Sequence, residues 1–375
     1  MAGSIQLSLL IGPGMPVPAL ADVMNALDSV QVTSSTESSG FQLSFKIGRQ
    51  SKLQTTLLPS GYFDPIITRV IIIVTVNGMP NVLMDGVVTR QEISPSNDVG
   101  KSTLTVTGED LSRMMDLVEM PFMRFPAMPT IARVYAILAK YAVLGIAPVA
   151  VPPIIPDIPN PLEEVPSQNG TDLAYIKQLA YQSAYVFYVE PGPAPGSSIA
   201  YFGPDIRIPA PQPALNVNMD ALTNVESLSF SLDGTAKKVV VITILDPVTK
   251  KIPIPIPLPN INILRPPLGA RPTMPSKLEF AEGMTALDPS AAANLALRML
   301  LSSNDSVTGS GSLDVLRYGR VLRSRMLVGV RGAGLAYDGL YYVNSTTHNI
   351  KHGSYKQSFN LSRDGLISNT PAVMP

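Results

Sequence analysis

The strongest constraint on the fold of this chain is a two-residue alternation of apolar and polar side chains that begins at residue 41. In FQLSFKIGR, Phe41, Leu43, Phe45 and Ile47 alternate with Gln42, Ser44 and Lys46. That period puts one face of a strand in a core and the other in water. TRVIIIVTVNG follows and ends in Asn77-Gly78, a pair that tolerates the positive φ of a tight hairpin turn. NVLMDGVVTRQEI and KSTLTVTGED supply two more β-rich segments, and together they predict an antiparallel meander through Glu109. The apolar run from Val70 to Val76 is far shorter than the ~20 residues of a membrane-spanning helix and reads as a buried strand.

A second copy of this pattern lies near the other end. YDGLYYVNSTTHNIKHGSYKQSFNLSRDGL, Tyr337 to Leu366, reads as two strands joined by a polar loop. Asp85-Gly86 and Asp338-Gly339 are 253 residues apart, as are Gly100 and Gly353. Upstream, VTVNG is matched by LVGVRG; downstream, LTVTGEDL is matched by FNLSRDGL. Asp-Gly and single glycines are common hairpin punctuation, but agreement of spacing on both sides favours a structural duplication. Three such chains would present six similar β-units, so a threefold object could meet a sixfold one.

Between the copies the pattern changes. Thr130 is placed to cap a helix through Ala142, with Ile131, Val134, Tyr135, Leu138, Tyr141 and Ala142 at helical spacing and Gly145 to end it. A second helix is expected from about Thr171, running into a strand at Tyr185 to Val189 and a hairpin into IAYFGPD. Three proline-rich stretches, at 148–161, 209–215 and 253–267, are unsuited to central strands and read as stiff linkers or as arms laid on a neighbouring subunit. VESLSFSLD and KKVVVITILD are expected to pair, and a last helix is expected at Ala291 to Ser302. The resulting fold class is α+β, mainly antiparallel β. It has a first β-barrel domain at 1–115, a small α+β domain at 116–215, a strand pair and proline-rich arm completing a barrel at 216–275, and a helix with a second β-barrel domain at 276–375.

Composition narrows the chemistry. The 375 residues leave room for more than one core. The 28 basic and 28 acidic side chains cancel, so no bulk field draws nucleic acid or an anionic membrane, and charged residues are only 15%. Such a surface suits a subunit covered by partners. There is no cysteine, hence no disulfide, thiolate metal site or cysteine nucleophile. The N-terminus lacks a basic n-region and is interrupted by Pro13, Pro16 and Pro18, so no secretory signal is expected.

The candidate motifs for chemistry fail on context. His348 and His352, the only histidines, are four apart but fall in the expected loop, without the glutamate of H-E-x-x-H, and read as exposed. VTGSGSLD at 307–314 reads as a flexible loop rather than a nucleophile elbow. Val99-Gly100-Lys101-Ser102-Thr103 lacks the first glycine of a phosphate loop and opens a strand. Glu163/Glu164, Glu109/Asp110 and Asp116/Glu119 are paired carboxylates with no sign of a shared cleft. Asn169 and Asn344, two of four N-x-[ST] sites, would matter only in a eukaryotic secretory pathway. Tyr135, Tyr141, Tyr175, Tyr181 and Tyr185 read as core filling. No catalytic, cofactor-binding or metal residue is assigned. The competing readings are a cell-envelope glycan hydrolase using Glu163 and Glu164, with two carboxylates flanking a cleft, and a glycan-binding module at a tail tip.

ITRVIIIVTVNGMPNVLMDGVVTRQEIS and STLTVTGEDLSRMMD, then NGTDLAYIKQLAYQSAYVFYVEPG and IAYFGPD, and finally the stretch at 337–366, resemble the hub proteins of contractile tails. These are the late-control D family of myophages, the hubs of extracellular contractile injection systems and the hub half of VgrG proteins. The resemblance spans about residues 20 to 368. It implies a homotrimer whose paired β-barrels, drawn mainly from 41–115 and 315–366, form a pseudo-sixfold ring under the tail tube, with a trimeric spike on the other face. Expected partners are further copies of the chain, a tube or tube-initiator protein, a spike protein and baseplate wedge proteins. No cofactor and no specific nucleic-acid binding are implied. The expected location is a virion baseplate or an injection-system particle, after synthesis in the bacterial cytoplasm. The chain ends without the OB-fold and β-helix of VgrG-type relatives and without a peptidoglycan-hydrolase segment, so the spike and any wall-cutting activity are expected on separate proteins.

Overall fold

A computed structural model describes residues 5–36, 38–98, 101–121, 123–153, 165–207, 210–245, 253–257, 265–281 and 305–370. The first part of the chain forms β1 (Ile5–Pro13), β2 (Val17–Pro18), α1 (Ala21–Ala26), β3 (Leu27–Ser35), β4 (Ser39–Ile47), β5 (Thr68–Val76), β6 (Met79–Ser94) and β7 (Ser102–Asp110). The middle adds β8 (Met123–Arg124), α2 (Thr130–Leu138), β9 (Ile146–Ala150), β10 (Ser167–Gln168), α3 (Asp172–Gln182), β11 (Val186–Pro191) and β12 (Ser198–Gly203). The remainder contains β13 (Gln212–Asn216), β14 (Val225–Leu232), β15 (Lys238–Leu245), β16 (Pro253–Pro257), β17 (Gly269–Pro272), β18 (Lys277–Ala281) and β19 (Val307–Asp314). It ends in α4 (Val315–Tyr318), β20 (Leu327–Arg331), β21 (Gly339–Lys351), β22 (Ser354–Arg363) and β23 (Gly365–Ser368). The fold is α+β and mostly antiparallel β.

The alternation at 41–47 behaves as its chemistry requires. Phe41, Leu43, Phe45 and Ile47 are buried on β4 while Gln42 and Lys46 face solvent. Asn77 and Gly78 both take positive φ, at 50° and 82°, and turn β5 tightly into β6. Helix α2 is capped by Pro129 rather than Thr130, and its last turn tightens to a 3-10 helix at Ala139–Leu144 before Gly145 stops it at φ 77°. Helix α3 starts as expected: the Thr171 hydroxyl accepts from the Ala174 amide at 3.2 Å.

The duplication is visible in the topology. In chain order the first unit uses β1, β3, β4, β5, β6 and β7, and the second uses β13, β14, β19, β20, β21 and β22. In space they run β1-β5-β6-β7-β4-β3 and β13-β20-β21-β22-β19-β14, which is the same permutation. The one difference in sense is that β1 lies antiparallel to β5 whereas β13 lies parallel to β20. Two bulges of each unit fall at corresponding places, while those between β5 and β6 and between β13 and β20 have no counterpart. Thr89 is skipped between β6 and β7 as Asn344 is between β21 and β22, and Asp28 is skipped between β3 and β4 as Glu226 is between β14 and β19. A bulge redirects a strand at one residue, so two coincident bulges are a strong mark of common geometry. Thr89 and Asn344 are 255 apart, so the two Asp-Gly pairs, 253 apart, sit two residues out of structural equivalence; β7 and β22 keep the 253 spacing.

The two units form one continuous sheet rather than two closed barrels. Strand β3 pairs along the second half of β21, from Ser345 opposite Ser35 to Lys351 opposite Ser29, and the described strands end at β14 on one side and β2 on the other. One hydrophobic core runs through both units, and a second fills the middle part around Phe125, Val134, Ile137, Ile176, Leu179 and Phe202.

Several sequence expectations change. Where they are described, the proline-rich stretches supply edge strands: among the described residues β9 and β16 lie at the edges of three-stranded sheets, and β13 pairs only with β20. A proline ring has no N–H to donate, which an edge tolerates and a central strand does not. VESLSFSLD and KKVVVITILD do not pair; β14 joins β19, and β15 lies between β16 and β18. VTGSGSLD is strand β19, its small residues packing under Phe230 and Phe359, so its glycines serve packing rather than flexibility. The helix expected at Ala291 to Ser302 lies outside the described residues.

Candidate functional site

The residues expected to be inert are placed unevenly. His348 is not in a loop. It lies within β21 at 4% exposure, opposite Val32 of β3, where the two β-units join. Its Nδ1 lies 2.8 Å from the Tyr355 hydroxyl, and burial, helped by the nearby Arg323 charge, pushes its pKa down to about 3. The imidazole is therefore a neutral part of the joint. His352 sits exposed in the two-residue hairpin that follows, so the histidines do not form a pair.

The carboxylate pairs also separate. Glu109 is exposed and Asp110 buried, because neighbours on a strand point to opposite faces. Asp110 accepts from the Ser39 and Ser112 amides at 3.1 and 2.9 Å, and burial raises its pKa. Asp116 accepts from the Thr171 hydroxyl at 2.7 Å and pairs with Arg113, bracing the start of α3. Glu163 and Glu164 lie outside the described residues. Tyr175 and Tyr185 fill the second core, but Tyr135 and Tyr181 are 43% and 50% exposed, the helices being apolar over a narrower face than expected. Asn344 is a bulge residue bonded to Ser362, and Ser102 and Thr103 open β7. Among the described residues no three His, Asp or Glu side chains converge as metal ligands do.

Three buried or half-buried polar joints went unread in the sequence. Arg69 and Asp85 form a bidentate pair, both bonds 2.7 Å, with Ser198 of β12 donating to Asp85 at 3.2 Å. Asp85 thus ties the first β-unit to the middle domain. Arg207 makes two bonds of 2.9 and 2.8 Å to Asp305 and lies over the Tyr342 ring at 4.3 Å; Tyr342 donates to Asp205, which also pairs with Arg265. Arg325 donates to the Ser35 carbonyl and stacks on Tyr188 at 3.9 Å, linking β3 to β11. Only the types Arg, Asp and Tyr were legible; the spacings, from 16 residues for Arg69 and Asp85 to 290 for Ser35 and Arg325, carry no local signal.

Around the joint between units the sheet has one apolar and one polar face. On the polar face the strands around the joint present hydroxyls and amides. Ser227 bonds Ser312 at 2.8 Å, Ser229 bonds Ser310 at 3.0 Å, Asn360 donates to Ser345 at 3.0 Å and Thr33 meets Thr347 at 3.3 Å. Gln31, Gln42 and Thr107 continue the row toward β6. Behind it, Val30, Val32 and Ile350 close the joint between units, each burial worth roughly 1.5–3 kcal/mol. The chemistry on offer is cohesion and a row of uncharged hydrogen-bonding side chains.

No family model matches the chain, and no curated protein matches it in sequence. Solved structures do match in fold. A tail protein from Neisseria meningitidis MC58 superposes with a TM-score of 0.60 at 13% identity, over 97% of this chain and 98% of that one. The 43 kDa tail protein of prophage MuSo2 from Shewanella oneidensis gives 0.59 at 15% identity, over 97% and 100%. An Escherichia coli component of the type VI secretion system, described as similar to tail proteins gp27 and gp5 of bacteriophage T4, gives 0.52 at 10% identity, over 93% and 77%. The chain has the fold of these phage tail and secretion-system proteins across nearly its whole length.

Proposed function

We propose that this protein is the structural baseplate hub of a contractile phage tail or phage-like injection system. In this reading it is a homotrimer whose six β-units form a pseudo-sixfold ring, joining a sixfold tail tube to a threefold spike. The observation that carries the reading is the duplicated unit: six strands in the same spatial permutation, with bulges at corresponding residues, fused into one sheet. A chain with two near-equivalent units supplies six from three copies, which is the symmetry match such a junction needs. The hydroxyl row around the joint suits the wall of a central channel, since its serines, threonines and amides hold a passing polymer less tightly than a run of like charges would. Baseplate wedge proteins are the expected outer neighbours.

Native mass spectrometry and light scattering over a range of concentrations test this. The expected species is three times the 40.1 kDa chain. A monomer at all concentrations, even with tube and spike proteins added, would refute it.

A further inference from the structure

The joint between the two units leaves its own counterpart unmade. In the second unit the half of β21 beyond the Asn344 bulge is paired on both sides, by β22 and by β3. In the first unit the half of β6 beyond the Thr89 bulge is paired, among the described residues, only by β7, because β5 reaches only to Val87. The burial follows the pairing: Thr346, His348 and Ile350 are buried, whereas residues 91 and 93 are exposed, Ile93 at 44%. Strand β14, the counterpart of β3, is likewise paired on one side only, by β19, among the described residues. Its Leu228, Phe230 and Leu232 are half-buried to exposed, where Val30 and Val32 of β3 are covered.

We infer that the free half of β6 is the acceptor, in a second copy of this chain, for the free edge of β14, in the register that β21 and β3 use within one chain. This inference rests on the trimeric reading above and adds to it the strands and the register. The bulges transfer the pairing. Residues 90–94 follow Thr89 as 345–349 follow Asn344, and residues 227–233 follow Glu226 as 29–35 follow Asp28. Ser345 opposite Ser35 becomes Arg90 opposite Asp233; Thr347 opposite Thr33 becomes Glu92 opposite Ser231; His348 opposite Val32 becomes Ile93 opposite Phe230. The transferred register thus places a cation against an anion and an exposed isoleucine against a half-buried phenylalanine. Within one chain, among the described residues, Arg90 has only the exposed Glu92 as ion partner, and Asp233 accepts from Thr235. The contact is head-to-tail, and every joint around the assembly has the same form, so it closes into a ring when the rotation permits. The charges on β6 and Pro95 just beyond it are the devices by which an edge refuses indiscriminate strands.

The chain has no cysteine, so paired cysteines report without background. Glu92→Cys with Ser231→Cys places two exposed side chains directly opposite across the proposed joint, within disulfide reach. Glu92→Cys with Ser227→Cys is the same chemistry four residues out of register, roughly 13 Å away along the strand. On mild oxidation the first variant is expected to give a covalent ladder that stops at three chains and collapses on reduction, at least tenfold above the second. A trimer by native mass with no in-register cross-link overturns the pairing and leaves the trimeric reading standing. A monomer without cross-links overturns both. A cross-link within single chains, or a ladder running far beyond three, overturns the closed three-chain joint.

Discussion

The buried histidine at the joint between units gives a sharp prediction. His348 is expected to be neutral in the fold, with a pKa of about 3, and to return to about 6.5 when the chain unfolds. Between those values the unfolded chain carries a proton on this imidazole that the folded chain does not. Stability from this group is therefore fully present above pH 6.5 and lost as the pH falls toward 3. The cost at pH 5 is about 2 kcal/mol relative to pH 7, rising to roughly 2.5 kcal/mol at pH 4.5. Carboxylates also begin to titrate near there, so the comparison has to be with a variant. His348→Gln keeps a hydrogen-bonding partner for the Tyr355 hydroxyl and removes the titration. Urea unfolding of both proteins at pH 7 and pH 5, with amide exchange in β21 and β3 to localise the effect, measures the difference. The wild type should lose about 2 kcal/mol more than His348→Gln over that interval. Equal losses would show that His348 is not held neutral, and the account of the joint would fail with it.

Three further outcomes follow from other parts of the structure. Asp85→Ala strands the buried Arg69 guanidinium and should cost about 3–5 kcal/mol, while the double variant with Arg69→Met should cost less than the single; urea midpoints of all three decide it. Gly311→Ala would set a methyl 2.4 Å from the Ser227 carbonyl oxygen and 2.7 Å from the Phe359 ring. It should destabilise by about 1–3 kcal/mol, with faster amide exchange in β14 than in β5. Thr171→Ala removes the α3 cap and should cost about 1 kcal/mol, seen as faster exchange of the first α3 amides with the main sheet unchanged.

The local patterns that proved legible were those in which neighbours along the chain settle the outcome. Alternation at 41–47 fixed which face of β4 is buried, Asn77-Gly78 fixed a turn, and Thr171 fixed a helix start, because each depends on φ/ψ preference or on contacts within a few residues. The duplication was also readable in outline, although its true frame is set by bulges, which leave no spacing signature of their own. Tertiary structure decided what depended on distant partners. His348 is buried because β3, more than 300 residues earlier, covers its strand, and residues 307–314 form a strand because β14 and β22 flank them. Asp85 is a joint because Arg69 and Ser198 reach it from two other elements. A strand's own sequence records its period but not which edge of it will be covered, since either edge offers the same N–H and C=O groups until another strand arrives.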